Sequence, residues 1–312
     1  MADEEPNAVS FASQFLENDA IAKEAAAARS RVLDQIERLD LQRHAWELEV
    51  HGFTVLEPER VGSTEFASEL CRTAVAVCEK RLGQSIDVEF GKTHVDFKSP
   101  FGQVQRESTV LFEDQIFEAA LMNEVVLAVV TYLLGESCTL VHQSLFVKGP
   151  GPDYLPLHTD QEESIGPAPY PPFAQVANAT WALSDYTSAN GAICFVQGSH
   201  KFCRAPTREE ATNTSLFQPV EVPAGSVIVW HGNTWHGALP RTAPGLRISL
   251  VEFFGRWNAP MDPVQRMMPV PPEMLNRNPP RLATLLRVAD PSPELDQLRE
   301  VKLRAAKTSY YA

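Results

Sequence analysis

In Leu157-His158-Thr159-Asp160 an imidazole and a carboxylate stand two residues apart, the spacing that puts both side chains on one face of an extended strand. One further histidine from a separate strand would complete a set of two His and one carboxylate. That set covers one face of an octahedral metal and leaves the opposite positions open to other ligands. His94-Val95-Asp96 has the same form and is the competing pair, but it precedes the strand-rich half of the chain, whereas His158 follows the turn Gly149-Pro150-Gly151-Pro152 inside that half. Two histidines, His231 and His236, offer the third ligand in Trp230-His231-Gly232-Asn233-Thr234-Trp235-His236. An organic acid chelated to such a metal needs a fixed cation at its far end, and arginine supplies a planar fork that stays charged when buried. Arg247 lies eleven residues after His236 and opens the apolar run Arg-Ile-Ser-Leu-Val-Glu-Phe-Phe, with Ser249 on its face of the strand. Arg241 sits in a turn between Pro240 and Pro244, so Arg247 and His236 are the preferred pairing and His231 is the alternative ligand.

The elements that must hold these groups follow from periodicity. Residues 20 to 50 are rich in Ala, Glu, Arg and Leu, with Val32, Ile36 and Leu39 at helical spacing, and are expected to form one long amphipathic helix. Its apolar stripe needs a partner, either the main domain or a second copy of the chain. Further helices are expected near 63 to 82 and 115 to 134. From residue 139 the chain breaks into short runs of Val, Ile, Thr, Phe and Trp between Gly and Pro clusters. Strands are expected at 139 to 148, 157 to 161, 176 to 184, 192 to 197, 218 to 222, 226 to 231 and 246 to 254. Short strands without helical patterns between them point to a mainly β protein with flanking helices, its core a double-sheet jelly roll rather than a parallel α/β sheet. The expected layout is a helical extension over 1 to 50, a jelly-roll domain over 51 to 260 and a Pro-rich C-terminal extension over 261 to 312 that packs on it.

Composition excludes several classes. A chain of 312 residues that is 44% apolar buries a large core. The formal charge of -13, with no Lys/Arg block, argues against a nucleic-acid partner. The longest apolar run, Val125 to Leu134, falls well short of the roughly 20 residues that span a bilayer. The amino-terminal residues lack a secretory pattern, and five cysteines without a Cys-x-x-Cys pair suit a reducing compartment, so a cytoplasmic location is expected.

Beyond single residues, the chain resembles the phytanoyl-CoA dioxygenase family. The resemblance runs from His51-Gly52-Phe53-Thr54-Val55-Leu56 through Leu133-Leu134-Gly135 to Phe254. It is most specific in Asn178-Ala-Thr-Trp181-Ala-Leu-Ser-Asp185 and in Asn190-Gly191-Ala-Ile-Cys-Phe-Val-Gln197-Gly198-Ser199-His200-Lys201. Gln197 departs from the proline common before Gly-Ser-His-Lys. The resemblance implies Fe(II), 2-oxoglutarate and dioxygen as cofactor and co-substrates. It assigns His158, Asp160 and His236 to the metal, Arg247 and Ser249 to the distal carboxylate of 2-oxoglutarate, and Trp181 and Gln143 to the co-substrate pocket. Asp160 closes the position that halide takes in halogenating relatives, so hydroxylation or a related oxidation is implied.

The expected substrate is a small hydrophobic organic molecule, because Tyr170 and Phe173 in the proline-rich stretch 164 to 175 follow the metal strand as a candidate lid. Phe97 and Phe101 are candidates for the opposite wall, and Trp235 stands beside the third histidine. No basic cluster suggests the phosphates of coenzyme A. Two rival readings remain: a jelly-roll metalloenzyme that works without 2-oxoglutarate, and a non-catalytic relative that binds a ligand or pairs through its first helix.

Overall fold

The computed structural model describes residues 19 to 88, 104 to 161, 167 to 259 and 269 to 288. Where one long helix was expected there are two, α1 (Asp19–Arg38) and α2 (Gln42–His51). The break is at Asp40, whose φ of 54° is left-handed, a conformation Asp tolerates better than most residues. Arg60 donates to the carbonyls of Leu39 and Asp40, each at 2.7 Å, and so satisfies acceptors that the interrupted helix leaves open. The turn drives Leu41 into the core, where it is wholly buried with Ile36, Ala45 and Leu48. The apolar stripe of these helices is therefore used within the chain.

After β1 (Phe53–Leu56) comes α3 (Thr64–Leu82), capped by the Ser63 hydroxyl, which accepts from the Phe66 N–H, and ended at Gly83 with φ 68°. Following β2 (Val104–Ser108), the helix expected over 115 to 134 is again split, into α4 (Gln115–Leu121) and α5 (Glu124–Leu134), which meet at 50°. Asn123 causes the split: its side-chain oxygen accepts from the N–H groups of Val125 and Val126 while its amide donates to the carbonyl of Val61. No single helix among the described residues is long and apolar enough to cross a membrane, and most of α5 is buried.

The strands that follow are β3 (Thr139–Lys148), β4 (Leu155–His158), β5 (Val176–Ala182), β6 (Ile193–Phe195), β7 (Gln218–Pro219), β8 (Val227–His231), β9 (His236–Ala238) and β10 (Arg247–Gly255). They form a six-stranded sheet in the order β1-β8-β5-β10-β3-β2 and a four-stranded sheet in the order β4-β9-β6-β7, with every pair antiparallel. The fold is a mainly antiparallel jelly roll, open rather than closed as a barrel. Both faces of the large sheet are covered, which is why β5 is buried at every position. One face carries Ala177, Ala179, Trp181, Ile248, Leu250 and Phe254 into a core shared with α1, α2, α3, α4 and α5 and with the short C-terminal helices through Met274, Leu282 and Leu285. The other face meets the small sheet, where Phe53 stacks on Phe195 at 4.3 Å and Trp230 packs beside them.

An acid of the large sheet lies inside the helical face. Glu252 of β10 is fully buried, accepts from the Gln143 amide at 2.9 Å, and is pushed up to about 7 by burial, which the Gln143 hydrogen bond opposes. Its carboxyl holds a proton in the folded chain over a range where the unfolded chain has released it. Stability therefore falls as pH rises from about 4.5 to about 7 and is level above that. Glu252→Gln is expected to remove this slope and to raise stability at pH 8 by up to about 3 kcal/mol relative to its effect at pH 4. Urea unfolding at the two pH values measures it.

Candidate metal centre

The metal ligands converge because β4 and β9 are neighbours in the small sheet, with His158 opposite His236. Gly237 permits this approach: a Cβ there would stand 2.4 Å from the Leu155 carbonyl oxygen. The two imidazole centroids are 4.2 Å apart. Each ring is oriented the same way, with Nδ1–H donating to a backbone carbonyl at 3.0 Å, Pro156 for His158 and Thr234 for His236. That fixes the tautomer and presents the Nε2 lone pairs to the cavity, the arrangement metal-binding histidines use. Burial pushes His236 down to about 4 despite the neighbouring Asp160 carboxylate, so its imidazole is neutral at ordinary pH and available as a ligand.

The strand stops at His158, two residues before Asp160, so strand geometry alone does not bring Asp160 to the same face. The chain turns instead, and the Asp160 N–H bonds to the Gly232 carbonyl at 3.1 Å, which returns the carboxylate to the histidines. Asp160 Oδ2 lies 3.7 Å from His236 Nε2 and accepts from Asn178 Nδ2 at 2.7 Å and Trp230 Nε1 at 3.1 Å. Asn178 and Trp230 are cross-strand partners on β5 and β8. One ligand atom from each of His158, Asp160 and His236 lies within 4.8 Å of the others. Cis ligands of a metal held at about 2.1 Å are roughly 3 Å apart, so a small inward movement closes the set around a cation.

The ligands open onto a cavity of about 380 Å³ between the sheets, whose lining includes Arg247, Ser249 and Tyr186. Arg247 is 8% exposed; its Nη1 donates to the Gly191 carbonyl, its guanidinium lies 4.8 Å over the Tyr186 ring, and its Nε is buried without a partner. The Tyr186 hydroxyl and Ser249 Oγ are hydrogen-bonded at 2.5 Å beside it. Among the described residues no carboxylate is within 4 Å of Arg247. A buried cation left in this state is costly, and an anion in the cavity would relieve it.

Other expected positions are placed elsewhere. His231 points to the opposite side of β8, where its Nδ1 accepts from the Asn233 N–H and its ring lies 5.3 Å from that of His200, so it is not part of the metal set. Trp181 and Gln143 are inward on the helical face: Trp181 packs edge-on to Phe66 at 5.7 Å, and Gln143 donates to Glu252 and to the Phe117 carbonyl. Strand parity explains both, since residues 178 and 180 of β5 and residues 142 and 146 of β3 line the cavity. Trp235 turns away from the cavity to pack on Phe202 and donate to the Arg204 carbonyl. Tyr170 is buried outside the cavity and Phe173 is half-exposed beneath Arg256, so neither forms its wall. His94, Asp96, Phe97, Phe101 and part of the expected lid lie outside the described residues. The apolar wall comes instead from Phe146, Phe253, Val251, Leu155 and Ile193, with His142 and Arg106 among the polar members. Of the groups that sequence reasoning passed over, Asn178 carried a signal: it and Thr180 are alternate polar residues in an otherwise apolar strand.

An open jelly roll thus carries two His and one carboxylate that could hold a metal ion, in a cavity that a buried arginine also lines. The family model for phytanoyl-CoA dioxygenase (PhyH) matches residues 48 to 249, and the chain belongs to that family. A protein of Aspergillus fumigatus named Dioxygenase af480 is 31% identical over 125 residues, 39% of this chain and 39% of that protein. Similar structures include the non-heme alpha ketoglutarate dependent epimerase SnoN from nogalamycin biosynthesis, at TM-score 0.53 and 18% identity over 75% of this chain and 90% of that one. HygX from Streptomyces hygroscopicus with nickel and 2-oxoglutarate bound matches at TM-score 0.53 and 17% identity over 69% and 87%. At such identities the likeness is one of fold.

Two substitutions probe how the centre is held. Trp230→Phe removes one donor to Asp160 while keeping an aromatic ring, and nickel(II) affinity measured by calorimetry is expected to fall about tenfold. Gly237→Ala is expected to separate β4 from β9 and abolish stoichiometric metal binding, while circular dichroism still shows a folded chain.

Proposed function

We propose that the chain is an Fe(II)- and 2-oxoglutarate-dependent oxygenase that oxidises a C–H bond of a small organic molecule with an apolar body, hydroxylation being the simplest outcome. The observation that carries the reading is the pairing of a candidate metal-ligand triad with a buried arginine that has no counter-ion among the described residues, in one cavity. Family membership supports it, and the HygX structure gives a precedent for metal and 2-oxoglutarate together in this fold. His158, Asp160 and His236 would hold the iron; with 2-oxoglutarate and dioxygen it supplies the oxidising power to break an unactivated C–H bond, yielding succinate and carbon dioxide.

The protein's own part is orientation and exclusion of water. Asn178 and Trp230 hold one oxygen of Asp160 and thereby set the direction of its carboxylate. Arg247 presents a fork to the distal carboxylate of the co-substrate, with the Tyr186–Ser249 hydroxyl pair adjacent. Phe146, Phe253, Val251 and Ile193 make the walls that keep water away and favour an apolar substrate. An epimerase and a carbocyclase among the similar structures support keeping the final product open to the substrate's own geometry. A metal-centred jelly roll working without 2-oxoglutarate would have no use for the uncompensated Arg247.

The test is anaerobic calorimetry followed by a succinate-release screen over apolar acids, alcohols and polycyclic compounds. Asp160→Ala is expected to lose metal binding. Arg247→Gln is expected to retain metal and weaken 2-oxoglutarate about 100-fold, the equivalent of about 3 kcal/mol for a buried charge-assisted pair. Equal 2-oxoglutarate affinity in Arg247→Gln and the parent would refute the co-substrate assignment.

A further inference from the structure

A second cation is buried beside Arg247, next to the residues that line the cavity. Lys148, the last residue of β3, stands directly opposite Arg247 in the β3–β10 register and is 4% exposed. Strand parity gives it the same face as His142 and Phe146, which line the cavity, while Lys148 itself lies just beyond that lining. There its Nζ donates to the Leu239 carbonyl at 2.5 Å, beyond the end of β9. The two cations hold one turn from two sides, because Arg247 donates to Gly191 and a Cβ on Gly191 would meet Lys148 Cε at 3.2 Å and the Leu239 oxygen at 2.9 Å. Arg241 is the third member of the group, but its guanidinium is taken up by the carbonyls of Gly245, Asn190 and Pro244.

No carboxylate among the described residues lies within 4 Å of any of the three. The groups that act on Lys148 from the surrounding elements are Arg247 of β10, Cys194 of β6, Asp153 in the loop before β4 and Arg241 in the loop after β9. Of these Asp153 is exposed, and the Cys194 thiol is pushed up to about 12 by burial, so neither supplies a buried negative charge at neutral pH. An ammonium carries three donors, and Leu239 uses one. A positive group buried beside another, with donors to spare and no counter-ion among the described residues, is a seat that an anion would complete.

We propose that Lys148 is a positioning residue of the co-substrate seat, a second cation whose charge adds to that of Arg247 in holding the dicarboxylate, so that protonation of Lys148 and binding of 2-oxoglutarate are linked. This rests on the oxygenase reading above and adds a property to it. Burial, and then Arg247, lower the Lys148 ammonium to about 8, whereas an anion in the seat favours the charged form. Binding therefore takes up a proton wherever the free protein has begun to lose it, and affinity falls as pH rises through about 8. Arginine at this position would keep its charge throughout.

The experiment is calorimetric titration of 2-oxoglutarate into the full-length, nickel(II)-loaded protein between pH 6.5 and 9.5, with Lys148→Gln and Lys148→Arg alongside. For the parent chain the Kd is expected to rise about tenfold across the range, within the span of ordinary coupling factors. Lys148→Gln is expected to bind about tenfold more weakly at pH 7 with no dependence on pH, and Lys148→Arg to bind tightly and equally without dependence. A parent-like slope in Lys148→Gln, or parent-like affinity there at pH 7, overturns the proposal. So does weak binding in Lys148→Arg that keeps the slope. If the parent itself shows no 2-oxoglutarate binding at any pH, the oxygenase reading fails and not merely the role of Lys148.

Discussion

Two buried cations with no carboxylate beside them among the described residues impose the main constraint on this molecule. Arg247 and Lys148 face each other across β10 and β3, and at the other end of the cavity Asp160 and two imidazoles face inward. Such an interior is stable only if something satisfies it. Hydrogen bonds to the carbonyls of Gly191 and Leu239 answer part of the demand at the cationic end, and Asn178 with Trp230 answer part of it at the acidic end. On the function proposed above, a metal at one end and a dicarboxylate bridging to the other would complete both. The rest of the fold is built to tolerate this polar interior.

That tolerance comes from the helical side. The large sheet turns its other face to an apolar core to which α1 through α5 and the short C-terminal helices all contribute, and the sheet is the shared wall. On β10 the same run of residues serves both sides, with Arg247 and Ser249 facing the cavity while Ile248 and Leu250 anchor the strand to the helices. Apolar burial on one face fixes the register. Register in turn sets which groups stand opposite one another on the other face. The pairing of Asn178 with Trp230, and of Lys148 with Arg247, follows from that alignment.

How much of this was legible in the sequence varies with the kind of signal. The order of side chains along β10 and the histidine set could be read, because residue spacing and the chemistry of a metal with a bound acid restrict the choices. The long strands expected at 139 to 148 and 246 to 254 match β3 and β10 to within a residue, while β1, β2 and β9 were not among the expected strands. Helix ends were misjudged where one residue made the break: Asp40 by adopting a left-handed backbone, Asn123 by capping with its own side chain. Trp181 and Gln143 were assigned to the cavity through family resemblance, yet each is one residue out of phase with the positions that line it. Lys148 was passed over because a lysine at a strand end resembles a solvated charge until the opposing sheet covers it.

The account turns on whether a metal and a dicarboxylate join the two ends of one cavity. A crystal structure of the protein with iron(II) and 2-oxoglutarate, grown without oxygen, examines this most directly. The metal is expected on Nε2 of His158, Nε2 of His236 and the carboxylate of Asp160, at about 2.1 Å, with the far carboxylate of 2-oxoglutarate on the Arg247 guanidinium. A metal bound elsewhere, or Arg247 paired with a carboxylate of the protein itself, would contradict it.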